Sequence, residues 1–148
     1  MKKVKTLTLT SLMLMSSTVF AATEVTSYKS PYCGCCTEWE EHMKDNGYDV
    51  NTEKHEDMTA IKEKLGVDPR LASCHTAVID GYVFEGHIPA SDIKNFLADP
   101  RDFKGLAVPG MPMGSPGMEY GDQKDKYQVV AFKAVSYTHL RAHETKAN

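Results

Sequence analysis

Three cysteines stand within four positions, Cys33-Gly34-Cys35-Cys36, and a fourth, Cys74, stands beside His75. The chain has no other cysteine. The run follows a predicted strand, Val25-Thr26-Ser27-Tyr28, and opens a predicted helix. Its outer members form a Cys-x-x-Cys pair, and Cys35 is a third thiol set between them. Two thiols make a disulfide switch, whereas four that converge can also hold a thiophilic metal. Any fold for this chain must therefore place the triplet at a strand-to-helix junction.

The start of the chain bears on the compartment. Met1-Lys2-Lys3-Val4-Lys5 is basic, Leu7 to Phe20 is mostly apolar with Thr and Ser, and Val19-Phe20-Ala21-Ala22 ends in small residues. This pattern predicts a secretory signal peptide over residues 1–22, cleaved after Ala21 or Ala22. The apolar stretch is too short and too hydroxylated to favour a retained membrane span, so no stable membrane insertion is expected. The signal has a Gram-negative character, which points to the periplasm. Disulfides persist there, so free thiols need protection by a metal or a reductase.

Removing residues 1–22 deletes Lys2, Lys3 and Lys5, and the formal charge falls from −3 to −6. An acidic domain with scattered lysines argues against nucleic-acid binding. It does not argue against a cuprous ion, which prefers sulfur to carboxylate. Residues 23–133, about 110 in number, suit one domain with a modest core.

The pattern along that domain alternates between strand and helix. Residues 24–29 read as a strand. Residues 35–45 read as a helix carrying Cys36, Trp39 and Met43 on one face and ending at Asn46-Gly47. Tyr48 to Glu53 reads as a second strand. Met58, Ile61 and Leu65 form a second helical stripe behind the N-cap candidate Asp57, stopped by Gly66 and Asp68-Pro69. Thr76-Ala77-Val78-Ile79, Asp80-Gly81 and Tyr82-Val83-Phe84 predict a hairpin with a two-residue turn. A last helix has Ile93, Phe96 and Leu97 inward and ends near Asp99-Pro100.

The order β-α-β-α-β-β-α, with Cys-x-x-Cys at the first strand-helix junction, resembles the thioredoxin fold. Tyr32-Cys33-Gly34-Cys35-Cys36 resembles that fold's active-site segment, with Tyr in place of Trp. Cys35 replaces the proline usual between the two active cysteines, and Ser73-Cys74-His75-Thr76 stands where the cis-proline loop is expected. The resemblance implies an α/β domain with a central mixed sheet flanked by helices, and Cys74 facing the triplet.

Four segments in order narrow the resemblance: Cys-Gly-Cys-Cys, Ser-Cys-His-Thr, Gly86-His87-Ile88-Pro89, and the Met/Gly/Pro-rich loop from Gly110 to Glu119. Together they resemble the small periplasmic metal-binding proteins of the CopG type, over about residues 24–132. That resemblance implies copper as ligand and a role in copper tolerance, with another periplasmic copper-handling protein as delivery partner.

The residues by themselves leave three chemistries open. Cu(I) favours thiolate and thioether, and thiolates bridge several ions. Cys33, Cys35 and Cys36 at a helix start are expected to have lowered thiol pKa values, which suits metal binding and disulfide exchange alike. The third and fourth thiols favour the metal, since a disulfide reductase needs two. Zinc is the third candidate, but structural zinc sites use spaced pairs rather than a packed triplet. If all four thiols oxidise, Cys74 is expected to pair with one of the triplet, because an adjacent Cys35–Cys36 bridge is strained.

Met111, Met113 and Met118 lie in the Gly/Pro-rich loop without a helical stripe. They read either as soft thioether ligands covering the copper or as a plug over the core. Met43 and Met58 read as core residues. His75, beside Cys74, is the best candidate nitrogen ligand. His87 orients a loop or contacts the site. His42, about two turns beyond Cys35, reads as an exposed residue, as does His55. Trp39 and the tyrosines read as core and rim.

The expected metal ligands are thus Cys33, Cys35, Cys36, Cys74, His75, Met111, Met113 and Met118, holding one or several Cu(I) ions. Copper redox or transfer activity is left open. The alternative is a thiol-disulfide oxidoreductase using Cys33 and Cys36. Residues 134–148 show no strand pattern and resemble translated vector or sequencing read-through, so His139 and His143 are set aside from the site.

Overall fold

The computed structural model describes residues 21–133 and the backbone of residues 137–143. The signal-peptide prediction falls almost wholly outside the described residues. The described elements are β1 (Thr23–Lys29), α1 (Gly34–Asp45), β2 (Tyr48–Lys54), α2 (Met58–Leu65), β3 (His75–Ile79), β4 (Tyr82–Glu85), α3 (Ala90–Ala98), β5 (Gly105–Ala107), β6 (Tyr127–Phe132) and β7 (Tyr137–His143). A short 3-10 turn spans Pro69–Leu71. Among the described residues, no helix is long and apolar enough to cross a membrane.

The strands form one mixed sheet in the order β2-β1-β3-β4-β5-β6-β7. β1 runs parallel to β2 and antiparallel to β3, and β4 runs parallel to β5. The α/β class expected from the sequence is the class of the fold. The β3–β4 hairpin turns on Asp80 and Gly81, with φ of 50° and 81°. Both central residues at positive φ match the twist of a two-residue hairpin turn.

Side chains alternate across the sheet and bury both faces. Val25, Ala77, Phe84, Leu106 and Ala131 pack with Trp39 and Met43 of α1 and Ile93 and Phe96 of α3. Val83, Ala107, Val130 and Phe132 face the other way and meet Val67, Leu71 and Leu65. Neighbours such as Val83 and Phe84 thus fall in opposite clusters, as the two-residue period of a strand requires. Cys36, Trp39 and Met43 are wholly buried, which is the predicted inward face of α1.

α2 departs from expectation in depth. Asp57 caps it as predicted, accepting from the Thr59 and Ala60 N–H groups, a contact worth about 1 kcal/mol. Yet no residue of α2 is fully buried, so Met58 lies at the border of the core rather than within it. Contrary to the expectation of a tail without a strand, the backbone over Tyr137–His143 pairs antiparallel with β6. β6 would otherwise present a row of open N–H and C=O groups, and such an edge recruits any extended segment within reach.

Candidate metal centre

The β1–β3 pairing sets the site. Lys29, the last residue of β1, stands opposite His75, the first of β3. The turn that leaves β1 and the loop that enters β3 therefore meet at one end of the sheet. Cys33 is the N-cap of α1, so the triplet opens that helix as the spacing predicts. The sulfurs of Cys33, Cys35, Cys36 and Cys74 all lie within 4.8 Å of one another.

Cys33 and Cys36 are joined in a disulfide, with Cα atoms 5.4 Å apart. Cys35 and Cys74 are free thiols. Cys35 Sγ lies 3.5 Å from Cys33 Sγ and 4.0 Å from Cys74 Sγ. Burial, with the nearby Cys35, pushes the Cys74 thiol up to about 12. In the absence of a metal or an incoming base, Cys74 therefore carries its proton at neutral pH.

Two histidines complete the cluster. Cys74 Sγ is 3.4 Å from His75 Nδ1 and 2.9 Å from His87 Nε2. His87 Nδ1 is 2.8 Å from the Pro116 carbonyl. A carbonyl only accepts, so Nδ1 holds the proton, and in the neutral ring Nε2 is an acceptor aimed at the Cys74 thiol. Burial lowers the His87 pKa against the opposing pull of Pro116 and Glu119. Burial also lowers that of His75 well below its usual value, helped by His87, Lys62 and Lys29. Both rings are thus neutral, the form that binds metals. His75 is packed against Trp39 with centroids 4.4 Å apart, and its Nε2 has no hydrogen-bond partner. Trp39 Nε1 in turn donates to the Ile88 carbonyl at 2.9 Å.

His87 is the residue the sequence reading undervalued. Gly86 at φ +80°, directly before it, marks a backbone turn that aims a side chain. His42 needs the opposite correction. It is half-buried rather than exposed, and its Nε2 accepts from the Ala90 N–H at the start of α3. It shares no cluster with the cysteines, as its helical spacing predicts.

The Met/Gly/Pro-rich loop reaches the site through its backbone. Gly117, at φ +82°, packs so closely on α1 that a Cβ there would lie 2.8 Å from the Cys35 carbonyl and 2.7 Å from the Trp39 nitrogen. Gly110 N–H donates to the Ala72 carbonyl at 3.1 Å, and the Gly110 carbonyl accepts from the Ser73 hydroxyl. Asp125 exchanges hydrogen bonds with the Met113 backbone at 2.9 Å in each direction. The three methionines fare differently. Met118 is buried at 8% exposure, Met113 is half-buried and Met111 is 53% exposed.

Two buried ion pairs flank the sulfurs. Lys29 joins Glu40 at 3.1 Å and also meets Thr37, tying the end of β1 to α1. Lys62 of α2 joins the wholly buried Glu85 at the end of β4. Neither pair announces itself in the sequence, because the partners are far apart and each residue alone reads as surface charge.

A family described as "Protein of unknown function, DUF411" matches residues 71–118, a span that includes Cys74, His75, His87 and the methionine loop. No curated protein matches the chain. Two solved structures match over most of it. One, described as "Copper resistance protein copG- Form 2", has a TM-score of 0.79 and 44% identity, covering 83% of this chain and 99% of its own. The other, "Copper resistance protein copG- Form 1", has a TM-score of 0.79 and 43% identity, covering 83% and 98%.

Proposed function

The chain belongs to the CopG copper resistance family, and on that premise we propose that it is a periplasmic Cu(I)-binding protein serving copper tolerance. One observation carries the reading: four cysteine sulfurs from two distant segments lie within 4.8 Å of one another. Thiolate is the preferred donor for Cu(I), and bridging sulfurs hold several ions in a small volume. Reduction of the Cys33–Cys36 disulfide by two electrons and two protons frees the full set of four thiols. His75 and His87 offer neutral nitrogens beside Cys74, and the loop bearing Met111, Met113 and Met118 serves as a cover with soft thioethers. Copper is cargo, handed on to another periplasmic copper-handling protein.

The rest of the reading follows from this. Residues 1–22 are the export signal, residues 23–133 the working domain and residues 134–148 a non-native read-through tail. The domain is thioredoxin-like, a reading supported by the strand order β2-β1-β3-β4 and by α1 following β1.

A second reading, thiol-disulfide exchange through Cys33 and Cys36, is favoured by the disulfide itself and by Cys35 Sγ at 3.5 Å from Cys33 Sγ. Against it, Gly110 lies hydrogen-bonded along Ala72 and Ser73. In a thioredoxin-like domain this is the strip that would engage the backbone of a protein substrate. A small ion needs no such strip.

Metal analysis with thiol counting, on protein isolated anaerobically from copper-fed cells, tests the first reading. It predicts more than one copper per chain and protection of all four thiols. Copper-free protein with a reducible Cys33–Cys36 bridge would favour the second.

A further inference from the structure

Glu85 closes β4 and is wholly buried. Its two oxygens are divided between two neighbours of Cys74. Oε1 accepts from the Ser73 backbone N–H at 2.6 Å, and Oε2 accepts from the Thr76 hydroxyl at 2.6 Å. Lys62 pairs with the same carboxylate and donates to Thr76 Oγ1 at 3.0 Å. One carboxylate therefore grips the chain on both sides of the Cys74-His75 dipeptide.

The two grips differ in what they add. Thr76 already faces Glu85 in the β3–β4 register, so the sheet alone keeps it in place. Ser73 precedes β3, and no strand ladder fixes its N–H. Glu85 supplies that bond and so extends the order of β3 backwards across Cys74. Burial of a carboxylate is tolerated only where its acceptor sites are filled, and here Lys62, Ser73 and Thr76 fill them.

We propose that Glu85 is a positioning residue for Cys74, its carboxylate clamping Ser73 and Thr76 so that the thiol meets Cys35 and His87. The clamp deepens the copper-site reading and rests on it for its purpose, but the placement can be measured without copper.

The test uses the full chain carrying Cys33→Ser and Cys36→Ser, so that Cys35 and Cys74 alone remain. In a glutathione redox buffer the two protein thiols give up two electrons and two protons. They form the Cys35–Cys74 disulfide, while one glutathione disulfide becomes two glutathione thiols. The equilibrium constant reports how well Cys74 is held towards Cys35. Glu85→Ala is expected to lower it by about tenfold, Glu85→Gln by less because one carbonyl acceptor survives, and Ile93→Val in α3 by under about threefold. A constant for Glu85→Ala within about threefold of its parent, or an equal fall with Ile93→Val, overturns the proposal. If Glu85→Ala does not fold, Glu85→Asp decides in the same assay, because the shortened side chain withdraws the carboxylate from the Ser73 N–H while keeping the charge beside Lys62: a fall beyond about threefold supports the clamp, and a smaller one overturns it. A separate Cu(I) titration of the wild-type chain that finds no binding would sink the copper reading while leaving the clamp to be judged on the disulfide constant.

Discussion

Cys35 and Cys74, 39 positions apart in the chain, bring their sulfurs to 4.0 Å. Neither local propensity nor helix spacing produces this contact. It follows from the antiparallel pairing of β1 with β3, which sets Lys29 opposite His75 and so draws the turn after β1 beside the loop before β3. A site built on sheet register is held as firmly as the sheet itself.

His87 should matter to metal affinity although it lies far in sequence from the triplet. Its Nε2 faces Cys74 at 2.9 Å and its Nδ1 is fixed by Pro116. His87→Ala is expected to weaken Cu(I) binding by about 10- to 100-fold, the usual range for partners that orient or assist a ligand. Competition against a Cu(I) chelator measures it, and an unchanged affinity would remove His87 from the site.

Gly117→Ala should loosen the methionine loop. The new methyl would press on the Cys35 carbonyl and the Trp39 backbone, and the residue would be held at φ +82°. Strain of this kind amounts to about 1–3 kcal/mol before any backbone clash is added. Chemical denaturation should show the loss, and alkylation of Cys35 should become faster as the loop lifts. A variant with wild-type stability and alkylation rate would mean that the loop adapts without leaving α1.

Much of this arrangement is legible in the sequence, for stated reasons. The triplet at a strand-helix junction, the Asp57 cap and the Asp80-Gly81 turn are local signals, and each has its predicted place. β5 is missed because Gly105-Leu106-Ala107 is too short to display a period. β7 is missed because its pairing depends on the open edge of β6 rather than on its own pattern. The buried pairs Lys29–Glu40 and Lys62–Glu85 are missed because a charged residue shows its burial only through its partner. His42 is misjudged as exposed because its value lies in accepting from Ala90, on another helix.

Stability should depend on pH through the buried imidazoles. Burial holds the pKa values of His75 and His87 below 6.5, with Lys29 and Lys62 adding to the effect at His75 and Glu119 opposing it at His87. Folded chains therefore bind fewer protons than unfolded ones once the pH falls past about 6.5, the unfolded value. The stabilisation is complete above that pH and is lost as pH drops towards the folded-state values, at up to about 1.4 kcal/mol per pH unit for each ring. Urea unfolding of the metal-free protein should show a lower midpoint at pH 5.5 than at 7.5, and His87→Gln should flatten the difference. A midpoint that rises on acidification would contradict the assignment of neutral rings.

The central claim is that four cysteine sulfurs form one Cu(I) site. Anaerobic titration of the fully reduced protein against a calibrated Cu(I) chelator tests it most directly, comparing wild type with Cys74→Ser and His42→Ala. Cys74 closes the cluster opposite the helix start, whereas His42 binds the α3 backbone. The account predicts more than one Cu(I) per wild-type chain, a clear loss of stoichiometry in Cys74→Ser and little change in His42→Ala. A single weakly held copper, unaffected by Cys74→Ser, would contradict it and leave Cys33 and Cys36 as a disulfide-exchange pair.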